Sequence, residues 1–140
     1  MKARILLVLL LAIAAWWFRG GEVGSPTVEP ESTSPASEQQ ADRTWGNPAS
    51  LRDHFARHGR DFAAKSPDDY AAQAWRFRQR ARGGGLLVKI DQDGVQRVYD
   101  PASGAFAAYH RDGTTKTYFK PGDPGYFSRQ PGRQVKAIVP

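Results

Sequence analysis

The stretch that decides the fold is Leu86–Lys120, LLVKIDQDGVQRVYDPASGAFAAYHRDGTTKTYFK. Leu86, Val88 and Ile90 alternate with other residues, the period of a strand with one face buried. Asp93-Gly94 is a hairpin turn, because glycine supplies the positive φ that such turns need. Val95 to Asp100 then gives a second strand, Ser103-Gly104 a second turn and Ala105 to His110 a third strand. Asp112-Gly113 turns into a fourth strand, Thr114 to Lys120, and the glycines recur at the spacing of an antiparallel meander. On that last strand, alternation puts Thr115, Thr117 and Phe119 on one face and Lys116, Tyr118 and Lys120 on the other.

Upstream of the strands the period lengthens. Asn47-Pro48 supplies an N-cap and a first-turn proline. Leu51, Phe55, His58 and Phe62 come next at helical intervals, with Gly59 marking where the helix stops and an ordered turn continues. Ser66-Pro67 opens a second helix with Asp68 and Asp69 at its positive end. Tyr70, Ala74, Phe77 and Ala81 form its buried stripe, and Gly83-Gly84-Gly85 ends it. The expectation is an α+β domain over residues 44–135. Two N-terminal helices pack on one face of a four-stranded antiparallel meander, and an irregular wrap comes after Pro121.

The first 43 residues have a different character. Ile5 to Phe18 is an unbroken apolar run of 14 residues behind Lys2 and Arg4. It is short for a membrane span and long enough for a signal-peptide core. Ala12-Ile13-Ala14 has the small-x-small pattern of a cleavage site, while Trp16 and Trp17 suit the interfacial belt of a retained anchor. Residues 1–19 are therefore a signal peptide or an anchor that holds the chain to the membrane through residues 5–18. Either device exports the remainder of the chain, to the periplasmic face of the inner membrane or to the outside. Residues 20–43 are rich in Gly, Pro, Ser, Thr, Glu and Gln, and read as a disordered tether.

Of the chain's 20 Lys and Arg, four precede Thr44, as do five of its 14 Asp and Glu, so a net charge of +7 falls on the folded part. The absence of cysteine excludes disulfides, thiolate nucleophiles and Cys-based zinc sites. Arg76, Arg78, Arg80, Arg82, Lys89, Arg97, Lys116 and Lys120 are candidates for a positive face that meets a polyanion, either nucleic acid or lipid headgroups. His58 shares the apolar stripe with Phe55 and Phe62, so its imidazole turns toward the sheet. Most such histidines are hydrogen-bonded core residues. Beside a basic groove, however, a half-buried imidazole suits proton transfer in RNA cleavage. His54 and His58 have the spacing of two metal ligands, but no Glu follows His54 and no third ligand is evident, so neither metal nor cofactor is expected.

The stretch HFARHGRDFAAKSPDDYAAQAWRF, residues 54–77, followed by RVYDPASGAFAAYHRDGTTKTYFKP, residues 97–121, resembles the C-terminal toxin domains of the colicin D-like ribonuclease group. That group lies within the wider barnase/colicin/RelE assemblage. The likeness runs through His58 to Phe62, Ser66 to Tyr70, Tyr99 to Phe106 and Asp112 to Phe119. It implies RNA phosphodiester cleavage, with tRNA the usual target, and raises an immunity protein as a partner. Carried over, His58 matches the catalytic histidine, Thr117 a hydroxyl residue on the late strand and Phe119 an aromatic two positions on. Arg57 takes the place of a lysine beside the histidine. A second basic position, three residues before the histidine, is Phe55 here, so phosphate stabilisation falls to Lys65, Arg60 or Lys116.

Three functions are consistent with these readings. The first is an exported, metal-independent endoribonuclease with His58 as general acid or base, Thr117, Arg57 and Lys65 in its catalytic site, and Lys116, Phe119, Arg60 and His54 contacting substrate. The second is an inactive module of the same fold that binds RNA or an envelope polyanion. The third is a structural envelope protein whose basic face sits on anionic lipid.

Overall fold

The structure, a computed structural model, describes residues 44–138. The expected export segment (1–19) and tether (20–43) lie outside the described residues. From Pro48 on, the described residues form two helices followed by a five-stranded antiparallel sheet. Helix α1 is Pro48–His58, a 3₁₀ turn spans Gly59–Phe62, and α2 is Pro67–Arg82. The strands are β1 (Leu87–Ile90), β2 (Gln96–Asp100), β3 (Ala105–Tyr109), β4 (Thr115–Phe119) and β5 (Arg133–Val135), arranged β4-β3-β2-β1-β5. Helix α1 begins at Pro48, well inside the chain. No helix among the described residues is long and apolar enough to cross a membrane.

Both helices start as their caps dictate. The Asn47 side chain accepts from the Ser50 N–H at 3.0 Å, and Ser66 Oγ accepts from the Asp69 N–H at 3.1 Å. Each cap satisfies a first-turn donor that has no partner within the helix. Helix α1 ends at His58, and the 3₁₀ turn beyond it closes on Ala63 in the left-handed region (φ 50°). Tyr70, Ala74, Phe77 and Ala81 bury the stripe of α2 against Val88, Val98, Ala105, Ala107 and Tyr109. Tyr109 Oη donates to the Ala74 carbonyl at 2.8 Å, and Tyr70 Oη donates to the Tyr118 carbonyl. These bonds satisfy the two hydroxyls that the core would otherwise strand.

The expectation of four strands is corrected to five. Residues 133–135, within the expected wrap, pair with β1 through Val88–Val135, Lys89–Gln134 and Ile90–Arg133. Three exposed or half-exposed residues carry no alternation long enough to read, so only the free edge of β1 reveals the pairing. The facing of β4 is also corrected. Ala108 pairs with Thr117 and Tyr109 with Thr115, which leaves Lys116 as the extra residue of a bulge. The bulge breaks the period of two. Thr115 is consequently buried on the helix side opposite Tyr109, while Thr117 and Phe119 stay on the other face.

That second face is also covered. Phe106, Ala108 and Phe127 form its centre, with Val95, Tyr99, Phe119 and Tyr126 around them. Tyr126 and Phe127 come from the segment after Pro121. Lys89 Nζ fastens that segment to the sheet by donating to the carbonyls of Phe127 (3.2 Å), Ser128 (2.8 Å) and Gln130 (2.8 Å).

Candidate functional site

Helix α1 ends beside β4, the edge strand, and this places His58 at the end of the sheet. Its ring centroid lies 5.4 Å from that of Phe119, and its side chain is 25% exposed. Phe119 is held in turn by edge-to-face contacts with Phe106 and Tyr126, each at 5.5 Å. Asp61 Oδ2 stands 3.8 Å from His58 Nδ1, within ion-pair range but beyond a hydrogen bond. Burial, and then the Arg57 guanidinium, hold the His58 pKa below its ordinary value of 6.5, with Asp61 opposing them. The imidazole is therefore mainly neutral at pH 7 and able to accept a proton.

The other expected residues divide into groups. Thr117 lies on the Phe119 face, partly exposed, and its hydroxyl makes no hydrogen bond among the described residues. Arg57 is exposed and ion-pairs with Asp53 one turn back. The His54 Nδ1–H donates to the Ser50 carbonyl at 2.9 Å, and the ring meets Trp45 edge-on at 5.3 Å. The His54 and His58 centroids are 6.3 Å apart. Arg60 is exposed on the 3₁₀ turn, and Lys65 is exposed just before the α2 cap. Lys116 is exposed at the bulge. Phe55, at the position where the resemblance has a basic residue, packs against the core 6.2 Å from Tyr70. Among the described residues no group of three or more His, Asp and Glu side chains converges as metal ligands.

The expected positive face is smaller than its eight residues suggest. The Arg78 guanidinium is buried between Trp75 (5.5 Å) and Tyr109 (5.9 Å). Lys89 is committed to its three carbonyls, and Arg97 to Asp91 at 2.7 Å with 12% of its side chain exposed. Arg76, Arg80, Arg82, Lys116 and Lys120 remain exposed. Arg80 and Lys120 meet Arg60 in a groove of about 380 Å³ formed by the 3₁₀ turn, α2 and the ends of β3 and β4. Asp61, Ser103 and Tyr118 also line it. Sequence reasoning placed Arg80 and Lys120 on a broad face and passed over Ser103 and Asp61. The spacing of Asp61 three residues after His58 was the one local signal for it. No family model matches the chain, and no curated protein matches it.

Proposed function

We propose that this domain is an exported, metal-independent endoribonuclease of toxin type, acting on tRNA or a similarly folded RNA. The observation that carries the reading is the setting of His58, a partly exposed imidazole set against Phe119, where burial and Arg57 hold its pKa below the ordinary value. A neutral imidazole takes the proton of a ribose 2′-hydroxyl as its oxygen attacks the adjacent phosphorus. The bond from phosphorus to the 5′-oxygen breaks and solvent water protonates the leaving oxygen, giving a 2′,3′-cyclic phosphate and a 5′-hydroxyl, while the imidazolium returns its proton to solvent. Thr117 and Phe119 share one sheet face beside His58, where a hydroxyl orients phosphate and a ring meets a base. Arg57, Lys65 and Lys116 supply positive charge around the phosphate.

The test is incubation of the full chain with tRNA in EDTA, followed by mapping of new 5′-hydroxyl ends. His58→Ala is expected to lower the cleavage rate by at least about 100-fold, the lower end of general acid–base contributions. An undiminished rate in that variant overturns the assignment. A second reading, RNA binding without cleavage, is favoured by Phe55 lying in the core and Arg57 being paired with Asp53, which together reduce the charge available at the imidazole. Salt-dependent RNA retention with no new ends selects it.

A further inference from the structure

We infer that the groove between the 3₁₀ turn and α2 is a second anion subsite, which takes a backbone phosphate of a single-stranded nucleic acid beside the linkage presented to His58. This rests on the reading of the domain as one that acts on RNA. Three cations converge on the groove, Arg60, Arg80 and Lys120, against one lining carboxylate, Asp61. Arg80 is pre-oriented. Its Nη2 donates to Asp100 Oδ2 at 3.0 Å, and Ser103 Oγ donates to the same oxygen at 2.9 Å. The Asp100 side chain is only 7% exposed and that of Arg80 is 60% exposed. One carboxylate thus fixes the guanidinium through one of its five N–H donors, while the side chain stays largely exposed.

Arg60 and Lys120 have no acidic partner among the described residues. Lys120 Nζ instead lies 5.3 Å from the centre of the Phe62 ring, and Phe62 stacks on Tyr118 with centroids 4.0 Å apart. The aromatic floor keeps the ammonium over the groove and lowers the local dielectric, which strengthens its attraction for an anion. Arg60 is two residues from His58 and Lys120 is next to Phe119 in the chain, which sets the groove near the His58–Phe119 pair, on the Tyr118 side of β4.

The test measures binding of a 2′-O-methyl RNA oligonucleotide to the full chain by fluorescence anisotropy across a salt series. That probe lacks the attacking hydroxyl, so binding is read apart from cleavage. The double variant Arg60→Gln, Lys120→Gln changes two exposed side chains. It is expected to weaken binding at least tenfold at about 0.1 M salt and to flatten the slope of log K against log salt by about 0.7, the contribution of one phosphate contact on a single strand. Arg133→Gln, an exposed cation on β5, is expected to change affinity less than twofold. Unaltered affinity and slope in the double variant, or no binding by the unmodified protein, overturn the subsite. If the double variant weakens binding while the unmodified protein leaves unmethylated RNA intact, the subsite stands and the cleavage reading falls.

Discussion

Gly59 is where one atom decides the shape of the site. A Cβ there would lie 2.6 Å from Cδ2 of the Phe55 ring, and the ring is itself packed on the core. Gly59→Ala is therefore expected to cost about 1–3 kcal/mol, as overpacking does, read as a lower midpoint in chemical denaturation. His58, one residue earlier, gives a prediction with a sign. If it acts as the base, the rate falls as acid protonates it, and the midpoint of that acid limb lies below 6.5 because burial and Arg57 lower its pKa. Arg57→Gln removes a cause of lowering and moves the midpoint up. Asp61→Asn removes a cause of raising and moves it down. A pH–rate profile of the two variants shifting in the same direction would show that another group sets the limb.

The elements are joined by a few polar ties that act at a distance in the chain. Lys89 on β1 is the main tie between the sheet and the segment carrying Tyr126 and Phe127. Lys89→Met keeps much of the stem but removes the ammonium from three carbonyls, and is expected to cost about 1.5–3 kcal/mol, the range for charged hydrogen bonds. The loss falls first on residues 123–130, so amide hydrogen exchange there rises before exchange in β2 and β3. Uniform acceleration across the whole sheet would count against a local tie. The bulge at Lys116 works on the same scale, since it turns Thr115 inward and leaves Thr117 outward on one short strand.

Across the whole molecule, positive charge serves two purposes, and exposure separates them. Arg78, Lys89 and Arg97 hold the fold together, whereas Arg60, Lys116 and Lys120 face solvent. Arg97→Gln is accordingly expected to lower stability by about 1–3 kcal/mol, since it leaves the partly buried Asp91 carboxylate without its cation, and to leave RNA affinity within twofold. The exposed cations behave the other way round, with affinity falling and stability changing little. Thermal denaturation and anisotropy measured on the same preparations check both halves.

Local chemistry determined much of this protein within the sequence. The caps at Asn47 and Ser66, the stripe Tyr70–Ala74–Phe77–Ala81 and the turn glycines 94, 104 and 113 act on neighbours a few residues away, so the two helices and the meander can be read directly. His58 was legible as a half-buried imidazole for the same reason, because helical spacing fixes which side of α1 it occupies. The tertiary structure alone decided β5, the inward turn of Thr115, the contact of His58 with Phe119 and the groove of Arg60, Arg80 and Lys120. Each depends on pairing or packing between residues far apart in the chain, and no local periodicity encodes which strand edge is free, where a ladder gains a residue, or which cations are already committed to a partner.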